Sequence, residues 1–235
     1  MTGLVYKEWK QNHRYILSMI LCGFVPLIVM WIFHGKIRSI SDDPWRFIGL
    51  MAGFIMAGAL QMNVLRGDDH KLWGYWVSST ADGYKGFLRV KYEMIFGMAV
   101  LFLFTLQLVD KGYCAYLNDN GESGFAELGG IAFTLSFVQI FLRAIDIPFF
   151  YRFGSKRGSI LKMVFMSFGA LFIIIFFMAE PDAVSSAMEI SHDMFTGKKS
   201  SLSTSVMIVS SPALYYLSYL ITCRLYLKGV EQYDH

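Results

Sequence analysis

Reactive side chains in this 235-residue chain are few and poorly spaced for catalysis. The five histidines are His13, His34, His70, His192 and His235. None belongs to a His-Glu-x-x-His pair, the spacing that sets two imidazoles on one helix face for zinc. Only Glu189 and His192 approach ligand spacing, and two ligands in a polar loop read as the solvated face of a short outer helix. Cys22, Cys114 and Cys223 are odd in number, with Cys22 and Cys223 inside apolar runs, so no disulfide framework is implied. A phosphate-cradling loop needs a Gly-rich turn ending in Gly-Lys-Ser/Thr. Here Gly35-Lys36 is followed by Ile37, and Gly197-Lys198 by Lys199. The expectation is a chain with no catalytic residue, metal or cofactor of its own and no ATP hydrolysis of its own.

Chemistry of a different kind is possible where polar groups sit in apolar surroundings. Arg143 and Asp146 interrupt a long apolar run, where each charge costs roughly 2.5–3.5 kcal/mol at a span centre on insertion scales. At i and i+3 they pair on one helix, which offsets that cost, and Pro148 just beyond bends or ends the span. Gln139 lies one turn before Arg143, and Gln61 and Asn63 close the second apolar run. These five residues are the candidates for a translocation path or inner gate. Their structural alternative is interhelical hydrogen bonding and ion pairing.

The elements that must position them follow from composition. Hydrophobic residues make up 55% of the chain and charged residues 17%, against roughly 45–50% and 25% in ordinary soluble domains. The excess falls in blocks near the roughly 20 residues a helix needs to cross a bilayer. An all-α, six-span membrane protein is predicted, with spans at about 15–33, 47–65, 92–110, 128–150, 161–179 and 204–227. The third reaches span length only if Lys91 or Tyr92 and Asp110 snorkel to the two interfaces. Runs such as Phe172-Ile173-Ile174-Ile175-Phe176 lack the alternation of barrel strands. So little chain lies outside the spans that 1–235 reads as one membrane domain.

Basic residues set the orientation, because positively charged flanks stay in the cytoplasm. Lys7, Lys10, Arg14, Arg66, Lys71, Lys85, Arg89, Lys91, Arg152, Lys156, Arg157, Lys162, Arg224 and Lys228 fall on one side. Lys36, Arg38, Arg46, Lys111, Lys198 and Lys199 fall on the other. Both termini are therefore expected in the cytoplasm, with a cytoplasmic loop at 66–91 and an extracellular loop at 180–203. Basic residues precede the first run, but no small-x-small cleavage site follows it, so an uncleaved first span is expected. Before that span, Leu4, Val5, Trp9 and Ile16 alternate with Lys7, Glu8, Lys10, Gln11 and Arg14 as in an N-terminal interfacial helix. Gly49, Gly53 and Ala57 form a smooth stripe for close helix packing, within the chain or across a dimer. No basic run with interleaved aromatics suits nucleic acid, and no internal repeat points to an inverted-repeat carrier.

Three landmarks carry a resemblance. The loop at 66–91 holds Asp68-Asp69, Lys71-Leu72-Trp73, Ser78-Ser79-Thr80 and then Val90-Lys91-Tyr92. The chain starts with Leu4-Val5-Tyr6-Lys7-Glu8-Trp9, and its fourth span ends in Ile147-Pro148-Phe149-Phe150-Tyr151-Arg152-Phe153-Gly154 before Lys156-Arg157. Together they resemble the permease subunits of ATP-binding-cassette exporters, and more narrowly the small six-span permeases of the phenol-soluble-modulin exporter type. Thr80 stands where that group commonly has Pro.

The resemblance implies a multi-pass subunit of the bacterial cytoplasmic membrane that dimerises. It also implies two copies of a separate ATPase, carrying ATP and Mg, bound on the cytoplasmic face. A cytoplasmic coupling helix between the second and third spans would carry Asp68, Asp69, Lys71, Trp73, Tyr75, Trp76, Ser79 and Thr80 as the ATPase contact. The cargo implied is a small amphipathic or antimicrobial-type peptide. The competing expectations are an ATP-independent channel or carrier and a membrane immunity or sensor protein that moves nothing.

Overall fold

The computed structural model describes residues 2–34, 43–66, 83–119, 129–179 and 201–231, all of them helical. The helices are α1 (Thr2–His34), α2 (Asp43–Arg66), α3 (Gly83–Asp119), α4 (Gly129–Ala179) and α5 (Ser201–Glu231), and no strand occurs among the described residues. Among the described residues four segments are long and apolar enough to cross a membrane: Gly3–Val29, Trp45–Arg66, Gly83–Tyr116 and Ile131–Gly154. The expected spans at 161–179 and 204–227 fall on the second half of α4 and on α5.

Two expected boundaries move. The N-terminal segment is not a separate surface helix, because α1 runs through it without a break. Leu4, Glu8 and Asn12 are buried at helical spacing, while Val5, Tyr6 and Trp9 are exposed. Glu8 and Asn12 face protein, where Glu8 has an ion-pair partner, while Lys10, Gln11 and Arg14 are exposed. Likewise residues 83–91, expected in the cytoplasmic loop, form the opening turns of α3. Lys91 does not snorkel to water but is fully buried, and so is Asp110 at 7% exposure.

The chain divides into two units, the first made of 1–64 and 90–139, the second of 65–89 and 140–235. In the first unit α1 and α2 pack antiparallel through glycine. A Cβ on Gly49 would stand 2.6 Å from the Cα of Pro26, and one on Gly53 would stand 2.8 Å from the Cys22 carbonyl oxygen. Pro26 has no N–H to give to the residue four before it, so the Cys22 carbonyl has no helical donor. Gly53 lets α2 approach that freed oxygen closely enough for a Cα–H contact. Gly23 likewise lets α3 come close to α1, since a Cβ there would run into the Thr105 hydroxyl.

In the second unit α4 folds back on itself. Gly154 adopts φ 75°, ψ 176°, a conformation closed to residues with a Cβ, and the helix resumes in the opposite direction. Gly158 lies against Phe149, where a Cβ would be 2.6 Å from the carbonyl oxygen, and the rings of Phe149 and Phe165 meet at 5.7 Å. Pro148 deprives the Ala144 carbonyl of its helical donor, and the Ser218 hydroxyl from α5 donates to that oxygen at 2.5 Å. Tyr84, Phe87, Tyr151 and Tyr226 join the start of α3, the end of the first half of α4, and α5 in one ring cluster.

Candidate functional site

The buried charges of the first unit sit near the two ends of α3. Lys91 Nζ lies 2.5 Å from Glu8 Oε2 and donates at 3.3 Å to the Val64 carbonyl. The Glu8 carboxylate also accepts from Asn12 at 3.1 Å and from Lys7 at 2.6 Å, so both its oxygens are engaged. Near the other end Arg46 Nη2 pairs with Asp110 Oδ1 at 2.5 Å, lies 3.6 Å from the Cys114 sulfur, and its guanidinium stands 5.4 Å from the centre of the Tyr113 ring. At about 1.5 Å of rise per residue, Lys91 and Asp110 are roughly 28 Å apart, close to the hydrocarbon thickness of a bilayer. Each end of the span is thus fixed by a charge that finds its counter-charge on another helix instead of in water.

These pairs gather the start of α1, the end of α2 and the start of α3 at one end of the unit. The candidate ATPase contacts Asp68, Asp69, Lys71, Trp73, Tyr75, Trp76, Ser79 and Thr80 all lie outside the described residues. So do Glu189 and His192 and the expected extracellular loop up to residue 200. The described chain resumes at Gly83, whose φ of 59° favours glycine.

Among the path candidates, Gln61, Asn63 and Gln139 belong to the first unit. Gln61 is fully buried, and neither its Nε2 nor its Oε1 has a hydrogen-bond partner. Gln139 is buried too; its Nε2 donates to the Phe54 carbonyl at 3.4 Å, and its Oε1 has no partner. Asn63 is half-buried. Gly49, Gly53 and Ala57 line the α1 contact, with Ala57 fully buried.

Arg143 and Asp146 belong to the second unit and do pair, Nη1 to Oδ2 at 2.6 Å. Residue spacing alone does not point to a third member. Lys162, beyond the Gly154 reversal, reaches Asp146 Oδ1 at 2.8 Å, so one carboxylate serves two cations and ties the halves of α4 together. Arg143 Nε is buried without a hydrogen-bond partner. The residues that sequence reasoning passed over, Glu8, Arg46, Lys91, Asp110 and Lys162, share one signal: a charge flanking or entering a span. That signal names a residue without naming its partner.

Among the described residues no three His, Cys, Asp or Glu side chains converge as metal ligands do. The arrangement offers charges held in pairs near the ends of α3 and buried amide groups of Gln61 and Gln139 without hydrogen-bond partners among the described residues. Residues 3–227 match the family model described as ABC-2 family transporter protein. No curated protein and no solved structure gives a match.

Proposed function

The chain belongs to the ABC-2 family of transporter proteins, and from that premise we propose that it is the permease of an exporter for small amphipathic peptides, driven by a separate ATPase. Members of this family are generally non-catalytic transport subunits that work with an ABC ATPase, and the chain is a multi-pass membrane protein. The carrying observation is the extent of the family match, which takes in residues 3–227.

Several features support the finer reading. Six spans with both termini in the cytoplasm fit the distribution of Lys and Arg and the helical segments of α4 and α5. Two ATPase copies, each with ATP and Mg, would then meet two copies of this chain at the 66–91 segment. Trp73, Tyr75 and Trp76 supply the aromatic anchors that dominate many interfaces. Force applied there reaches α3 directly, since Lys91 is clasped to Glu8 of α1 and to the Val64 carbonyl of α2. Gln61, Gln139, Arg143 and Asp146 are the groups best suited to meet polar parts of the cargo.

Affinity purification of the tagged full chain from its native membrane tests the reading. A P-loop ATPase should copurify and hydrolyse ATP faster when an amphipathic peptide is added. A chain that purifies alone and admits peptide into liposomes without ATP is a channel or carrier. One that confers peptide resistance on cells without moving peptide is an immunity protein.

A further inference from the structure

The turn of the α4 hairpin carries more positive charge than its surroundings neutralise. Between residues 140 and 171 the basic side chains are Arg143, Arg152, Lys156, Arg157 and Lys162, and the sole carboxylate is Asp146. Asp146 is already committed to Arg143 and Lys162. Lys156 and Arg157 are exposed, and neither has an ion-pair partner among the described residues. Arg152 is the telling member, because its Nη1 is buried and finds no acceptor among the described residues, while its guanidinium leans on the Phe153 ring at 5.8 Å. Charges that serve only to orient a span need water, not burial. A buried guanidinium nitrogen left without an acceptor costs more than an ordinary unmade hydrogen bond. The hairpin therefore lacks an anionic acceptor beside Arg152.

The surface next to this cluster identifies the bearer of that anion. Past the turn, Ile160, Met163, Val164 and Phe168 are all exposed, from 48% to 68%, on a helix that runs away from the cations. An acidic group joined to long hydrocarbon chains satisfies both surfaces at once. We infer that the α4 turn binds the phosphate of an anionic phospholipid through Arg152, Lys156 and Arg157, with an acyl chain laid along Ile160, Met163, Val164 and Phe168. The site takes the second half of α4 as a span and is independent of cargo and ATPase.

Native mass spectrometry of the full chain, extracted from vesicles of equal parts phosphatidylglycerol and phosphatidylcholine, tests this. The expected result is retention of phosphatidylglycerol and loss of phosphatidylcholine. Lys156→Gln with Arg157→Gln removes two exposed cations without disturbing the core, and should weaken retention by about fivefold for each. Arg152→Gln should weaken it further, and Arg152→Lys should restore part of it. Lys10→Gln with Arg14→Gln, equally exposed cations of the first unit, should leave it unchanged. Equal retention of both lipids overturns the assignment. So does an equal effect of the Lys10 and Arg14 pair, which would mark diffuse surface charge. A lipid-free dimer, with a second copy on the apolar flank, overturns it as well, as does displacement of the bound lipid by an acidic peptide.

Discussion

Glu8 and Lys91 form a buried ion pair between the first turns of α1 and the opening turns of α3, 2.5 Å from Nζ to Oε2, with Asn12 and the Val64 carbonyl completing their coordination. The pair makes α1 and α3 parallel neighbours in a fixed register, which Gly23 against Thr105 repeats farther along both helices. It also makes the residues leading out of 67–82 mechanically continuous with the first span.

Breaking that pair from one side strands a charge. Glu8→Gln should destabilise the protein by about 3–5 kcal/mol, as removal of one partner of a buried pair does. Glu8→Leu with Lys91→Met should recover most of the loss, since an apolar pair leaves no orphaned ion. Thermal unfolding in detergent of Glu8→Leu, Lys91→Met and the double variant reads the difference as a coupling energy.

Gly53→Ala tests the proline-released carbonyl of Cys22. The new methyl would stand 2.8 Å from that oxygen, so α1 and α2 must part, at a cost of about 1–3 kcal/mol for overpacking. Gly97→Ala, with nothing within 4 Å of its notional Cβ, should be neutral or slightly stabilising through helix propensity. Equal unfolding temperatures for the two variants would remove the close-packing role.

The bond from Ser218 to the Ala144 carbonyl exists because Pro148 cannot donate. Ser218→Ala should cost about 1–3 kcal/mol, the penalty for an unsatisfied buried carbonyl. In a Pro148→Ala background, where residue 148 regains its N–H, the same change should cost markedly less. Additive effects in this double-mutant cycle would argue that the two features are unrelated.

Asp146 holds two cations, so its removal and theirs should differ in order. Asp146→Asn leaves the buried Arg143 and the half-buried Lys162 without their shared counter-charge and should be the most damaging single change of the three. Adding Arg143→Gln should relieve part of that damage, and adding Lys162→Gln as well should relieve more. Circular dichroism melting of the series gives the ranking.

The sequence showed which segments are helical because apolar runs of span length leave few alternatives, and it showed the Arg143–Asp146 pair because both residues lie on one turn of one helix. It did not show Glu8 with Lys91 or Arg46 with Asp110, which are 83 and 64 residues apart. Their pairing is set by which helices neighbour one another and by the glycine and proline contacts that fix register. Lys162 escaped for the same reason, since only the reversal at Gly154 brings it back to Asp146. The N-terminal helix read as a surface element because its charges look wet in isolation, and Lys91 on α3 is what draws Glu8 inside while Lys10 and Arg14 stay exposed.

Peptide uptake into inside-out vesicles that contain the chain and its copurified ATPase should require ATP and both polypeptides. Trp73→Ala with Trp76→Ala should abolish uptake while leaving the chain inserted and helical. Uptake by the chain alone without ATP, or undiminished uptake by that variant, would contradict the proposed ATPase-driven permease.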